Sequence, residues 1–101
     1  MPLTDVIYHY ASLDSDHDIS GDTLAFGLDG TTYPDTGTYE AVAPPGAAGL
    51  TAPKAGYTRY WWRLLIGPGR PLVPHVGGQI TLYGKLTDSP EILHPYWPIV
   101  V

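Results

Sequence analysis

Residues 57–66, Tyr-Thr-Arg-Tyr-Trp-Trp-Arg-Leu-Leu-Ile, constrain the fold more than any other stretch of this chain. In an extended strand, alternate side chains point to opposite faces. Thr58, Tyr60, Trp62, Leu64 and Ile66 then make an almost wholly apolar face. Tyr57, Arg59, Trp61, Arg63 and Leu65 make the other, aromatic and cationic. The first face suits the core of a small β domain. The second has the composition of a protein contact surface, where Trp, Tyr and Arg are enriched.

The rest of the chain repeats the pattern in shorter pieces. No segment holds apolar residues at helical spacing for three turns, whereas short alternating runs recur between turn residues. Asp5–Ala11 is the first run, and the acidic loop Asp14–Asp22 follows it. Thr23–Leu28 is the second, with Leu24, Phe26 and Leu28 inward, and it ends in the turn dipeptide Asp29-Gly30. Gly37–Ala43 is the third. A Pro/Gly-rich loop spans residues 44–56, the Trp-rich strand follows, and a second loop spans 67–78. Gln79–Thr87 places Ile80, Leu82 and Leu86 inward, and Gly84 leaves a gap on that face which Trp62 or Tyr60 is expected to fill. Residues 92–101 carry Pro95 and Pro98, which restricts them to an arm or an edge strand. The chain reads as one all-β domain, a β-sandwich of about six to seven strands with long loops.

Composition narrows the function. A chain of 101 residues makes one domain. Charged residues are 15% against the roughly 25% of a typical domain, so a surface covered by a partner is expected. The net charge of −5 argues against a duplex-binding stripe and against direct nucleic-acid contact. There is no cysteine, which removes disulfides and thiolate metal sites. No apolar run reaches membrane-span length, and the N-terminus is not patterned as a signal peptide.

Candidate chemistry is sparse. Asp14, Asp16 and Asp18 alternate like the start of a calcium loop, but Ile19 stands where that loop needs glycine and Ala25 where it needs glutamate. A β-type calcium site of Asp14, Asp16, Asp18 and Asp22 is left as a weak candidate beside the plainer reading of a solvated acidic turn. The histidines His9, His17, His75 and His94 lack ligand spacing. Ser12, Ser15, Ser20 and Ser89 lie outside any nucleophile-elbow setting. No cofactor and no enzymatic activity are expected. Tyr57, Arg59, Trp61 and Arg63 are the expected protein interface, with Trp97, Ile99 and Val101 of the tail clasping a neighbouring subunit.

Three blocks carry a family resemblance: Gly-Asp-x-Leu-x-Phe at Gly21–Phe26, Leu-Leu-Ile-Gly-Pro-Gly at Leu64–Gly69, and Leu-Thr-Asp-Ser-Pro-Glu-Ile at Leu86–Ile92. From about Gly21 onward the chain resembles small structural proteins of tailed phages that infect actinobacteria. The Tyr- and His-rich first strand, the 44–56 loop and the proline-rich tail depart from that pattern. The resemblance implies an immunoglobulin-like sandwich and a place in the virion, assembled in the host cytoplasm. It implies a capsid decoration or minor capsid protein present in many copies on a lattice, with the major capsid protein or other virion proteins as partners. The alternatives are a head–tail connector or tail component, and a calcium- or carbohydrate-binding module.

Overall fold

A computed structural model describes residues 6–44, 52–73, 79–88 and 91–100. It shows an all-β sandwich of two antiparallel sheets. In chain order the strands are β1 (Ile7–Ser15), β2 (Thr23–Gly27), β3 (Asp35–Thr36), β4 (Thr38–Glu40), β5 (Thr58–Ile66), β6 (Gln79–Asp88), β7 (Glu91–Leu93) and β8 (Tyr96–Val100). One sheet has the order β1-β5-β4. The other has the order β3-β2-β6-β7, with β8 also on β6.

The Trp-rich stretch forms β5 and lies at the centre of the smaller sheet. Its apolar face packs inward: Trp62, Leu64 and Ile66 are buried, and Tyr60 lies against them. Leu24 and Phe26 of β2 and Leu82 and Leu86 of β6 meet them from the larger sheet, all essentially inaccessible to solvent. Burying each such side chain contributes roughly 1.5–3 kcal/mol, so this set forms the main apolar core.

β1 runs four residues past the expected end, because Asp14 and Ser15 stay in register with Arg59 and Thr58 of β5. Asp14 is therefore a strand residue. Asp35–Glu40 is one extended run that serves both layers. Asp35 and Thr36 pair with β2, whereas Thr38–Glu40 pair with β5. The change of sheet occurs at Gly37, where a Cβ would lie 2.5 Å from the Phe26 ring and 3.3 Å from Trp62 Cβ. Only a residue without a side chain passes between two buried aromatics there.

The turn at Gly67–Arg70 does not close a hairpin. β5 and β6 belong to different sheets, and the buried Leu72 anchors the connection as it crosses the end of the core. Gly67 N–H donates to the Leu72 carbonyl at 2.8 Å, which holds that crossing in place.

The C-terminal stretch pairs within its own subunit. β7 and β8 follow one uninterrupted register along β6, from Asp88 opposite Glu91 to Gln79 opposite Val100. Trp97 and Ile99 are thus core elements and not a clasp. Ile99 is buried, and the Trp97 ring lies 5.5 Å from that of Phe26. The Trp97 indole N–H donates to the Ser12 carbonyl of β1 at 3.1 Å, tying the larger sheet to the edge of the smaller one. Trp97 also fills the gap at Gly84, where an added Cβ would sit 2.8 Å from its ring. Trp62 and Tyr60 do not, because they belong to the facing sheet, where Trp62 meets Tyr39 edge-on and Tyr60 lies tilted against it. Val101 lies outside the described residues.

Candidate docking surface

The outer face of the smaller sheet gathers residues from three strands. Register sets Asp14 beside Arg59, Ser12 and Glu40 beside Trp61, Tyr10 and Thr38 beside Arg63, and Tyr8 beside Leu65. Tyr57, Arg59, Trp61 and Arg63 are all half-buried on this face. Its expected cationic character is cancelled locally. Arg59 donates through Nε and Nη2 to the two carboxylate oxygens of Asp14, at 2.8 and 3.1 Å. The Asp14 carboxylate holds the Arg59 guanidinium above its ordinary pKa. Arg63 Nε lies 3.1 Å from Glu40, and its guanidinium sits over the Tyr8 ring at 5.0 Å. Lys54 covers the Tyr57 ring in the same manner at 4.3 Å. The row is aromatic and charge-balanced, with its long cationic side chains already held in place. Such ordering lowers the entropic cost of binding a partner.

The acidic loop distributes its carboxylates to separate partners. Asp14 belongs to Arg59. Asp18 accepts from the Ser20 N–H at 2.9 Å and the Ser20 hydroxyl at 2.7 Å, a local turn bond that lowers its pKa. Asp16 accepts from His17 Nδ1–H at 2.8 Å. Asp22 lies beside Asp88, and burial together with that neighbour raises its pKa. Among the described residues no group of three or more His, Cys, Asp or Glu side chains is placed to hold a metal ion.

His17 is the pivot of this region, a role its sequence context does not reveal. Its Nε2–H donates to Asp88 Oδ2 at 2.5 Å, fastening the β1–β2 loop to the end of β6. Hydrogen bonds to Asp16 and then Asp88 raise its pKa to about 9. His9 faces inward opposite Leu64, and burial lowers its pKa. His94 Nδ1 lies 3.3 Å from the Tyr33 hydroxyl. His75 lies outside the described residues.

Behind the His17–Asp88 pair is a cavity of about 300 Å³. Leu13, Ile19, Leu86, Leu93 and Pro95 supply its apolar lining, and Asp14, His17 and Asp88 its polar lining. It opens where the β1 edge of one sheet faces the β7–β8 edge of the other. Ile92, Leu93 and Tyr96 on the latter edge are 51%, 45% and 70% exposed, values high for apolar side chains. Sequence inspection missed this cavity because its walls come from β1, β6 and β7, which only the fold brings together. No family model, curated protein or solved structure matches the chain.

Proposed function

We propose that this chain is a structural subunit of a tailed-phage virion, a capsid decoration or minor capsid protein that binds and stabilises the head shell. The phage assignment rests on the three sequence blocks at Gly21–Phe26, Leu64–Gly69 and Leu86–Ile92. The observation that carries the docking role is the outer face of β5, where Trp61 stands half-exposed between two guanidiniums held by Asp14 and Glu40. Central aromatic and arginine side chains of this kind dominate the energetics of protein interfaces. Many weakly attached copies on a lattice require only modest affinity at each contact.

The test is co-sedimentation of purified protein with undecorated phage capsids over a range of salt. Binding that is lost on Trp61→Ala supports the reading. Failure to sediment with capsids at any salt overturns it. Quantifying the protein in intact virions separates the shell from the neck: hundreds of copies place it on the head, and six or twelve place it at the connector.

A further inference from the structure

The open margin between β1 and β7–β8 combines two features that point to the same ligand. The first is a strand edge with no partner strand among the described residues. Gly84 N–H donates to the Pro95 carbonyl at 2.8 Å, so the peptide groups of Pro95 and of alternate residues face β6. Those of Ile92, His94 and Tyr96 therefore face away, and no described strand lies beyond them. The second is the cavity, which sits on the inner side of this edge. Leu93 and Pro95 lie on the inward face of the strand, opposite Leu86 and Gly84, and both line the cavity. A strand laid along the edge would direct one side chain into that space and set its neighbours two residues away on the same face, at the cavity's rim.

We propose that this margin is a strand-addition site for an extended peptide. The peptide pairs with the outward amides of Ile92, His94 and Tyr96, inserts one apolar side chain against Leu13, Leu86 and Leu93, and carries lysine or arginine two residues to either side. Main-chain pairing supplies affinity and the pocket supplies selectivity, as in other strand-addition complexes. The basic flanks follow from charge. Asp14 and Asp88 line the cavity, Asp16 lies beside His17 and Asp22 beside Asp88, and among the described residues the cations His17, Arg59 and Lys54 offset these four carboxylates only in part. The chain as a whole carries −5, which steers the same kind of partner. A single aliphatic or small aromatic side chain suits the volume, which is at the lower limit for drug-sized ligands. Pro98 has no N–H to donate, so pairing stops before it and the site is short.

This inference rests on reading the chain as a docking module, and it names a second contact distinct from the β5 face. The probe is a set of blocked pentapeptides, lysine-threonine-x-threonine-lysine, with valine, leucine, isoleucine, methionine or phenylalanine at x. These are titrated into the isotope-labelled full chain and followed by NMR. The expected result is saturable shifts at the amides of Ile92, His94 and Tyr96 and the methyls of Leu13, Leu86 and Leu93. Affinity should fall at least tenfold with aspartate at x, and comparably with glutamate in place of both lysines. Leu93→Lys, at a half-exposed rim position, should abolish binding, whereas Val42→Lys, on a distant exposed residue, should not.

Absence of saturable shifts for every peptide at millimolar concentration overturns the proposal. So do shifts confined to β5, or a concentration-dependent dimer that occupies this edge in place of peptide. Capsid binding that survives Leu93→Lys while all peptides fail removes strand addition and leaves the virion reading intact. Peptide binding at this edge without capsid binding does the reverse.

Discussion

Replacing Gly37 with alanine isolates the point at which one strand changes sheet. The added methyl carbon would sit 2.5 Å from Phe26 Cε2 and 3.3 Å from Trp62 Cβ. Comfortable carbon contacts lie at about 3.5–4.0 Å, so the overlap is about 1 Å. Neither neighbour has room to retreat: Phe26 is 0% and Trp62 1% exposed. Overpacking of this kind costs roughly 1–3 kcal/mol. Gly37 does not have a positive φ, so the cost is steric and not conformational. For a domain of this size about 2 kcal/mol lowers Tm by roughly 8–16 °C. Thermal melting and urea titration measure it, with an unchanged urea slope showing that the native state keeps its compactness. Gly21→Ala is the control, since nothing lies within 4 Å of its Cβ position. Phe26→Leu removes the ring edge that the new methyl meets. The double variant Gly37→Ala/Phe26→Leu should therefore be less destabilised than the sum of the two singles. A Gly37→Ala protein within about 0.5 kcal/mol of the parent, or strict additivity in the double variant, refutes the crossing geometry.

Three further outcomes are expected. Trp97→Phe keeps most of the apolar contact with Phe26 but leaves the Ser12 carbonyl without its indole donor, at a cost of about 1–3 kcal/mol in chemical denaturation; Trp97→Ala should cost more, about 3–5 kcal/mol. Trp61→Ala should change stability by under about 1 kcal/mol while weakening capsid co-sedimentation at least tenfold, which melting and pelleting assays separate. His17 has a folded pKa of about 9, above its ordinary 6.5, so its stabilising contribution is complete below pH 6.5 and is lost as pH rises through 9. Melting points measured from pH 6 to pH 10 should fall over that window, and His17→Gln should flatten the fall.

The fold was legible wherever strands alternate cleanly over enough residues. β5 and β6 declare their inward sets outright, and Leu24 and Phe26 do the same for β2. Long-range geometry was not legible. Gly37–Ala43 reads as a run of its own, and nothing in the composition says that Asp35 and Thr36 just before it pair in the other sheet. Filling the Gly84 gap required knowing that β8 lies beside β6, because Trp97 reaches it only through that register. The tail reads as an arm or an edge strand because its prolines exclude a central strand, and that constraint is met equally by pairing at home or on a neighbour. On the β5 face the residues were legible and their charge state was not, because Asp14 and Glu40 reach the arginines from strands on either side. The His17–Asp88 pair joins residues 71 apart in sequence, a separation at which local pattern carries no signal.

The contact between Trp97 and Ser12 spans 85 residues and sets when the molecule can close. During synthesis the first strand leaves the ribosome long before its partner indole exists. Until then Phe26 lacks the ring that packs against it, and the flank of β6 that receives β7 and β8 stands bare. Contacts so distant in sequence slow folding and lengthen the exposure of unpaired strands. Nascent chains halted before Trp97 should therefore remain protease-sensitive and aggregation-prone, and closure of the sandwich waits for the synthesis of β8.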